Sequence, residues 1–158
     1  MMRLGFSYIG LAYLLILVIP NALWARDKNK KYEFKDETKI LSAFERVGQV
    51  FITVTLLLFT DNEPILSSVW IVWLYISLIF MILYEVYWIR YFKSEKEIND
   101  FYHPILGIPI PGAILPVIVF LLLGIYKKLI WLILSAIIFG IGHIGIHYIH
   151  FKENKTKN

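Results

Sequence analysis

His143, His147 and His150 stand at spacings of four and three in the chain's last hydrophobic run, Leu129 to His150, which holds no Asp, Glu, Lys or Arg. On an α-helix those spacings put three imidazoles on one stripe. An imidazole can take up a proton, donate a hydrogen bond or ligate a metal, and packing an apolar helix requires none of these. Two histidines four residues apart can share a divalent metal ion with a carboxylate, which makes His143, His147 and Glu85 the candidate metal set, with Glu45 as the other carboxylate. No Glu follows His143, so this is not the HExxH arrangement of zinc proteases. The competing use is hydrogen bonding to Glu, Tyr or carbonyl groups inside a bundle, with His150 outside it at the membrane interface.

Four further ionisable residues, Glu45, Arg46, Glu85 and Arg90, lie within or at the ends of hydrophobic runs. A charge at that depth is tolerable only where it faces the bundle interior, a partner or water. The candidate ligand-binding set is therefore Glu45, Arg46, Gln49, Glu85, Arg90, His143 and His147, with Arg46, Gln49 and Thr53 expected along one wall. In the architectural alternative, Glu45 pairs with Arg90 and Arg46 with Glu85, and the charges only lock the second helix against the third. Gly140-x-Gly142-x-x-Gly145 matches the dinucleotide fingerprint in form but has neither a preceding strand nor a βαβ context. It is read as a small-residue face that lets a neighbouring helix approach beside the histidines.

The elements that must position these groups are set by hydropathy. With 158 residues, 58% hydrophobic and 18% charged, and a mean hydropathy of +0.64, the chain carries its apolar residues in runs of about twenty. This composition indicates an all-α, polytopic integral membrane protein, a bundle of five transmembrane helices in one domain. The spans are expected at about 4–25, 40–60, 65–90, 104–126 and 129–150, with 151–158 a disordered cytoplasmic tail. The first span is expected to stay uncleaved, because Leu23-Trp24-Ala25 is a poor small-x-small processing site. The second must start near Ile40, since Val47 to Thr60 alone reaches only about 21 Å against roughly 30 Å of hydrocarbon. Asp61-Asn62-Glu63-Pro64 reads as a polar turn, with Pro64 opening the third span as a helix that continues to Phe92. Pro104, Pro109, Pro111 and Pro116 fall within thirteen residues, so the fourth span should be irregular from Pro104 to Pro111 and helical only from Gly112 to Tyr126.

Five spans gather eleven Lys and Arg on one side (Arg26 to Lys39, Lys93 to Lys96 and the tail) against Arg3, Lys127 and Lys128 on the other. The positive-inside rule then gives an outside N-terminus and an inside C-terminus in the plasma or inner membrane. With that orientation Asn21, Glu45, Glu85, Arg90, His103 and the histidine stripe all fall in the cytoplasmic third. The net charge of +4 is read as topology signal and contact with anionic lipids, not nucleic acid. The absence of cysteine removes disulfides and thiolate chemistry, and the Lys, Ile and Asn bias fits an AT-rich prokaryotic genome.

Three functional classes follow. The leading one is a carrier, sensor or accessory subunit whose cytoplasm-facing polar cavity, floored by the start of the fourth span, binds a small ligand, ion or lipid headgroup. The second is a membrane enzyme acting on a lipid-like substrate, with His and Glu as acid and base. The third is a structural or immunity-type protein that serves a membrane partner or its own oligomer.

Overall fold

The computed structural model describes residues 3–34, 38–60 and 68–157. Among them are six helices, α1 (Tyr8–Arg26), α2 (Lys39–Leu58), α3 (Ile71–Phe92), α4 (Ile98–Phe101), α5 (Pro111–Lys127) and α6 (Ile130–Lys157). By length and composition α1, α2, α3 and α6 could each cross a membrane, and α5 is a shorter apolar helix.

Capping and pairing set the helix starts. Ser7 accepts a hydrogen bond from the Gly10 amide at 3.0 Å and so begins α1 four residues later than the apolar run does. The residues before it form a short strand, β1 (Arg3–Leu4), antiparallel to β2 (Phe59–Thr60) beyond the end of α2. Lys127 ties this corner together by donating to Ser7 Oγ at 3.1 Å and to the Phe59 carbonyl at 3.3 Å. The expected turn at Asp61 to Pro64 lies outside the described residues, as do Ile65 and Ser67. The third helix starts at Ile71, and its 22 residues span about 33 Å. The last helix continues to Lys157, so residues 151–157, expected as a disordered tail, are helical. Asn154 Nδ2 anchors that extension on Asn99 Oδ1 at 2.8 Å.

The proline-rich segment breaks as its composition requires. From Tyr102 to Ile110 the chain is irregular, and α5 begins at Pro111, where a missing amide is harmless. Its freed carbonyls find donors. Arg90 binds the His103 carbonyl and, at 2.9 Å, the Pro104 carbonyl, and Tyr87 OH donates to Phe101 O at 3.0 Å. Ile105 and Ile108 bridge across a turn whose central residues, Leu106 and Gly107, have φ of 48° and 79°. A left-handed conformation suits Gly107 and strains Leu106, whose side chain is 81% exposed and gains little from packing. Leu106→Asn should therefore raise stability by about 1 kcal/mol, read as a higher midpoint of thermal unfolding in neutral detergent.

Packing follows the small residues. α2 lies along α6, α3 along α5, and α5 along α6, while α1 leans more lightly on α2 and α3. Gly48 of α2 faces the backbone of Phe139, and Gly142 of α6 faces the backbone of Leu41 and Glu45, so each helix is notched where the other crosses it. α5 is buried nearly all round, through Ala113, Leu115, Val119 and Leu123 among others, so its 17 residues, about 25 Å, form the centre of the bundle. The exposed apolar residues, such as Val18, Val50, Ile79, Ile82 and Ile137, belong to the surrounding helices.

One end of the bundle, where α1 finishes and α2 begins, is closed by loop contacts. Lys96 Nζ meets Asp27 Oδ2 at 2.6 Å and Lys31 Nζ meets Glu95 Oε2 at 2.9 Å, joining the α1–α2 connection to the α3–α4 connection. The Lys96 hydrogen bond holds the Asp27 carboxyl below its ordinary value of 3.8. A group with a lowered folded pKa contributes stability that is complete above the unfolded value and is lost as pH falls through the folded one. Asp27→Asn should accordingly lower the melting midpoint at neutral pH, and that difference should shrink on acidification below about pH 4.

Candidate functional site

The notch at Gly142 places its neighbour. Because the backbones of α2 and α6 nearly touch there, Glu45 and His143 meet across the crossing, and His143 Nδ1 donates to Glu45 Oε1 at 2.6 Å. Both side chains are largely shielded, at 11% and 19% exposed for His143 and Glu45. The bond fixes the imidazole through one nitrogen and leaves Nε2 as the chemically available atom. Phe139 stacks on the His143 ring at 4.6 Å from below, and His147 meets it edge-on at 4.8 Å from above. Tyr102 OH lies 3.3 Å from His147 Nδ1. Burial pushes the Tyr102 phenol well above its ordinary value, so the phenol stays protonated beside the imidazole.

Glu45, Phe139, His143 and His147 line a cavity of about 490 Å³ between α1, α2 and α6, backed by α5 and by Trp88 of α3. Its walls are mostly apolar: Leu14, Leu17, Ile52, Pro116, Phe120, Phe139 and Ile146 line it alongside Asn21, Glu45, Gln49, Thr53, His143, His147 and His150. Asn21 is held in place by donating to the Leu17 carbonyl at 2.8 Å and to Tyr84 OH. The lining residues that remain exposed, Val18, Ala22, Ala25, Gln49 and Thr53, lie on α1 and α2. The mouth therefore opens sideways between these two helices. The end expected to open is covered by Phe34, whose ring stacks on His150 at 4.5 Å and packs on Phe101 at 5.7 Å.

Four of the seven residues singled out in the sequence, Glu45, Gln49, His143 and His147, meet at this cavity; Arg46, Glu85 and Arg90 do not line it. The wall of α2 is Glu45, Gln49 and Thr53, spaced by four, and Arg46, about 100° round the helix, is exposed. α3 presents Tyr84 and Trp88 inward, and Glu85, offset by the same angle from Tyr84, has a buried Oε1 with no hydrogen-bond partner among the described residues. Arg90 is spent on the loop carbonyls. Neither the Glu45–Arg90 nor the Arg46–Glu85 pairing forms among the described residues, because α2 packs on α6 and not on α3. Glu85 does not join His143 and His147 at the cavity, and among the described residues no group of three His, Asp or Glu side chains is placed to hold a metal ion.

His150 was expected outside the site and is a buried part of its lining, 5% exposed, because Phe34 folds back over it. The sequence also passed over Phe34, Trp24 and Phe101 as lining residues. Their signal was the pair of aromatics, Tyr32 and Phe34, in an otherwise charged connection. Trp24 Nε1 donates to Tyr32 OH, and Tyr32 OH pairs with Tyr91 OH, both at 2.9 Å, so that connection is bound to the bundle. Compared with protein-family models, curated proteins and solved structures, the chain matches none.

Proposed function

We propose that this is a small integral membrane protein whose intrabundle cavity binds a small amphiphilic ligand, as a carrier, sensor or accessory subunit. The observation that carries this reading is the Glu45–His143 pair projecting into a largely apolar cavity of about 490 Å³. A space of that size, with few polar groups and many apolar ones, has the dimensions and chemistry of a site for a drug-sized molecule. Its sideways mouth, between α1 and α2, suits a ligand that arrives from the bilayer. Native mass spectrometry of the protein from neutral detergent should show a retained small molecule. Ala22→Trp, which adds an indole to the cavity wall on the lightly packed α1, should abolish that mass. A wild-type protein with no retained species, or one unaffected by the added indole, would count against a ligand site.

The proposal includes five spans, an outside N-terminus and an inside C-terminus in a cell membrane, with α5 as the inner, shielded span. The excess of eleven basic residues over three supports that orientation and contact with anionic lipid on the inner face. Reporter fusions after Lys128 and after Phe151 should report from opposite sides of the membrane. Both reporting from one side would refute it.

The carboxylate-oriented imidazole also favours a second reading, a membrane enzyme with His143 Nε2 as general base. In that case His143→Ala would abolish turnover of a bound substrate while leaving its binding intact.

A further inference from the structure

The cavity's charge inventory narrows the ligand further. Among the described residues no Lys or Arg lines it, and the carboxylate of Glu45 is the one acidic group in its lining. That carboxylate has, among the described residues, a proton-bearing imidazole as its partner and no Lys or Arg. Aromatic side chains, among them Trp24, Trp88, Phe101 and Phe139, line the same cavity. A carboxylate in a low-dielectric pocket attracts a positive charge strongly and repels a negative one, and aromatic faces add to the attraction. An anionic lipid headgroup or phosphate would find no guanidinium or ammonium among the described lining residues. A neutral amphiphile would fill the apolar walls without using the carboxylate.

We propose that the cavity takes a lipophilic organic cation, an apolar body bearing one positive charge, with Glu45 as counter-charge and the aromatic walls around it. This rests on the cavity being a ligand site, as proposed above. The sideways mouth fits it, because such a cation partitions into the bilayer and reaches the mouth along α1 and α2. Gln49 and Thr53, one and two turns from Glu45, mark the path from the mouth to the charge.

Tetraphenylphosphonium and tetraphenylborate have the same four-phenyl body and opposite charges, so their comparison isolates the sign. Equilibrium binding of each is measured in neutral detergent, with a detergent-only blank. The expected result is saturable binding of the phosphonium, with the borate weaker by at least about tenfold. Glu45→Gln should bring the two to within about twofold of each other. Should Glu45→Gln fail to fold, Gln49→Lys at the exposed mouth serves in its place and should weaken the phosphonium by about tenfold. Borate binding as tight as phosphonium binding, or phosphonium binding indifferent to both substitutions, would overturn the cation assignment and leave the cavity as a site for neutral or anionic amphiphiles. Binding of neither ion would also overturn it. The retained mass and its response to Ala22→Trp then decide separately whether the cavity is a ligand site.

Discussion

Removing one partner of the buried pair should cost more than an ordinary helix–helix hydrogen bond is worth. His143→Leu leaves the Glu45 carboxylate shielded from water with its described partner gone, since the 2.6 Å bond to Nδ1 is the contact that satisfies it. Interhelical hydrogen bonds between neutral groups in membrane proteins average only about 0.6 kcal/mol. A stranded charge is the larger effect, and the expected loss is about 3 kcal/mol. Glu45→Leu combined with His143→Leu should recover most of that loss, because two apolar groups leave nothing unsatisfied. The check is a double-mutant cycle on unfolding in neutral detergent. If the two single losses simply add, the side chains do not interact and the proposed site geometry is wrong.

The second large effect belongs to backbone contact. Gly142→Ala would drive a methyl group into the Glu45 amide and the Leu41 carbonyl, and Gly48→Ala would drive one into Phe139 N and Cα. Backbone atoms cannot rotate aside, so the helices must separate, at a cost of about 3 kcal/mol for either substitution. Gly145→Ala is the internal control. Its added carbon would meet only the branched end of Leu41, at 3.1 Å, and should cost less than about 1 kcal/mol. Thermal unfolding of the three variants should separate Gly142 and Gly48 from Gly145. Equal losses at Gly142 and Gly145 would mean that α2 does not cross α6 at this point.

The contrast among these glycines shows what was legible beforehand. Hydropathy located the apolar helices, four prolines located the break before Pro111, and the glycine run marked close helix approach, to α2 at Gly142 and Gly145 and to Val117 of α5 at Gly140. Periodicity also put His143 and His147 on one stripe, and both line the cavity. Periodicity says which residues share a face and is silent on which neighbour that face meets. Glu85 and Arg46 were misplaced for that reason: neighbours in sequence, α2 and α3, were expected to pack, whereas α2 lies on α6 and α3 on α5. Other features depended on long-range contacts with no local signature. Phe34 covers His150 from more than a hundred residues away, and Arg3–Leu4 finds Phe59–Thr60 across two helices.

The most direct measurement of the pair at the cavity wall is nitrogen-15 NMR of the protein labelled only at histidine, of which the chain has four. His103 lies in the exposed loop before α5 and serves as the internal reference, while His143, His147 and His150 line the cavity. The expected result is a strongly deshielded, slowly exchanging Nδ1 proton on His143 that disappears in Glu45→Gln while the His103 signal is unchanged. Four histidines that exchange alike with water, and a His143 signal indifferent to Glu45→Gln, would contradict it.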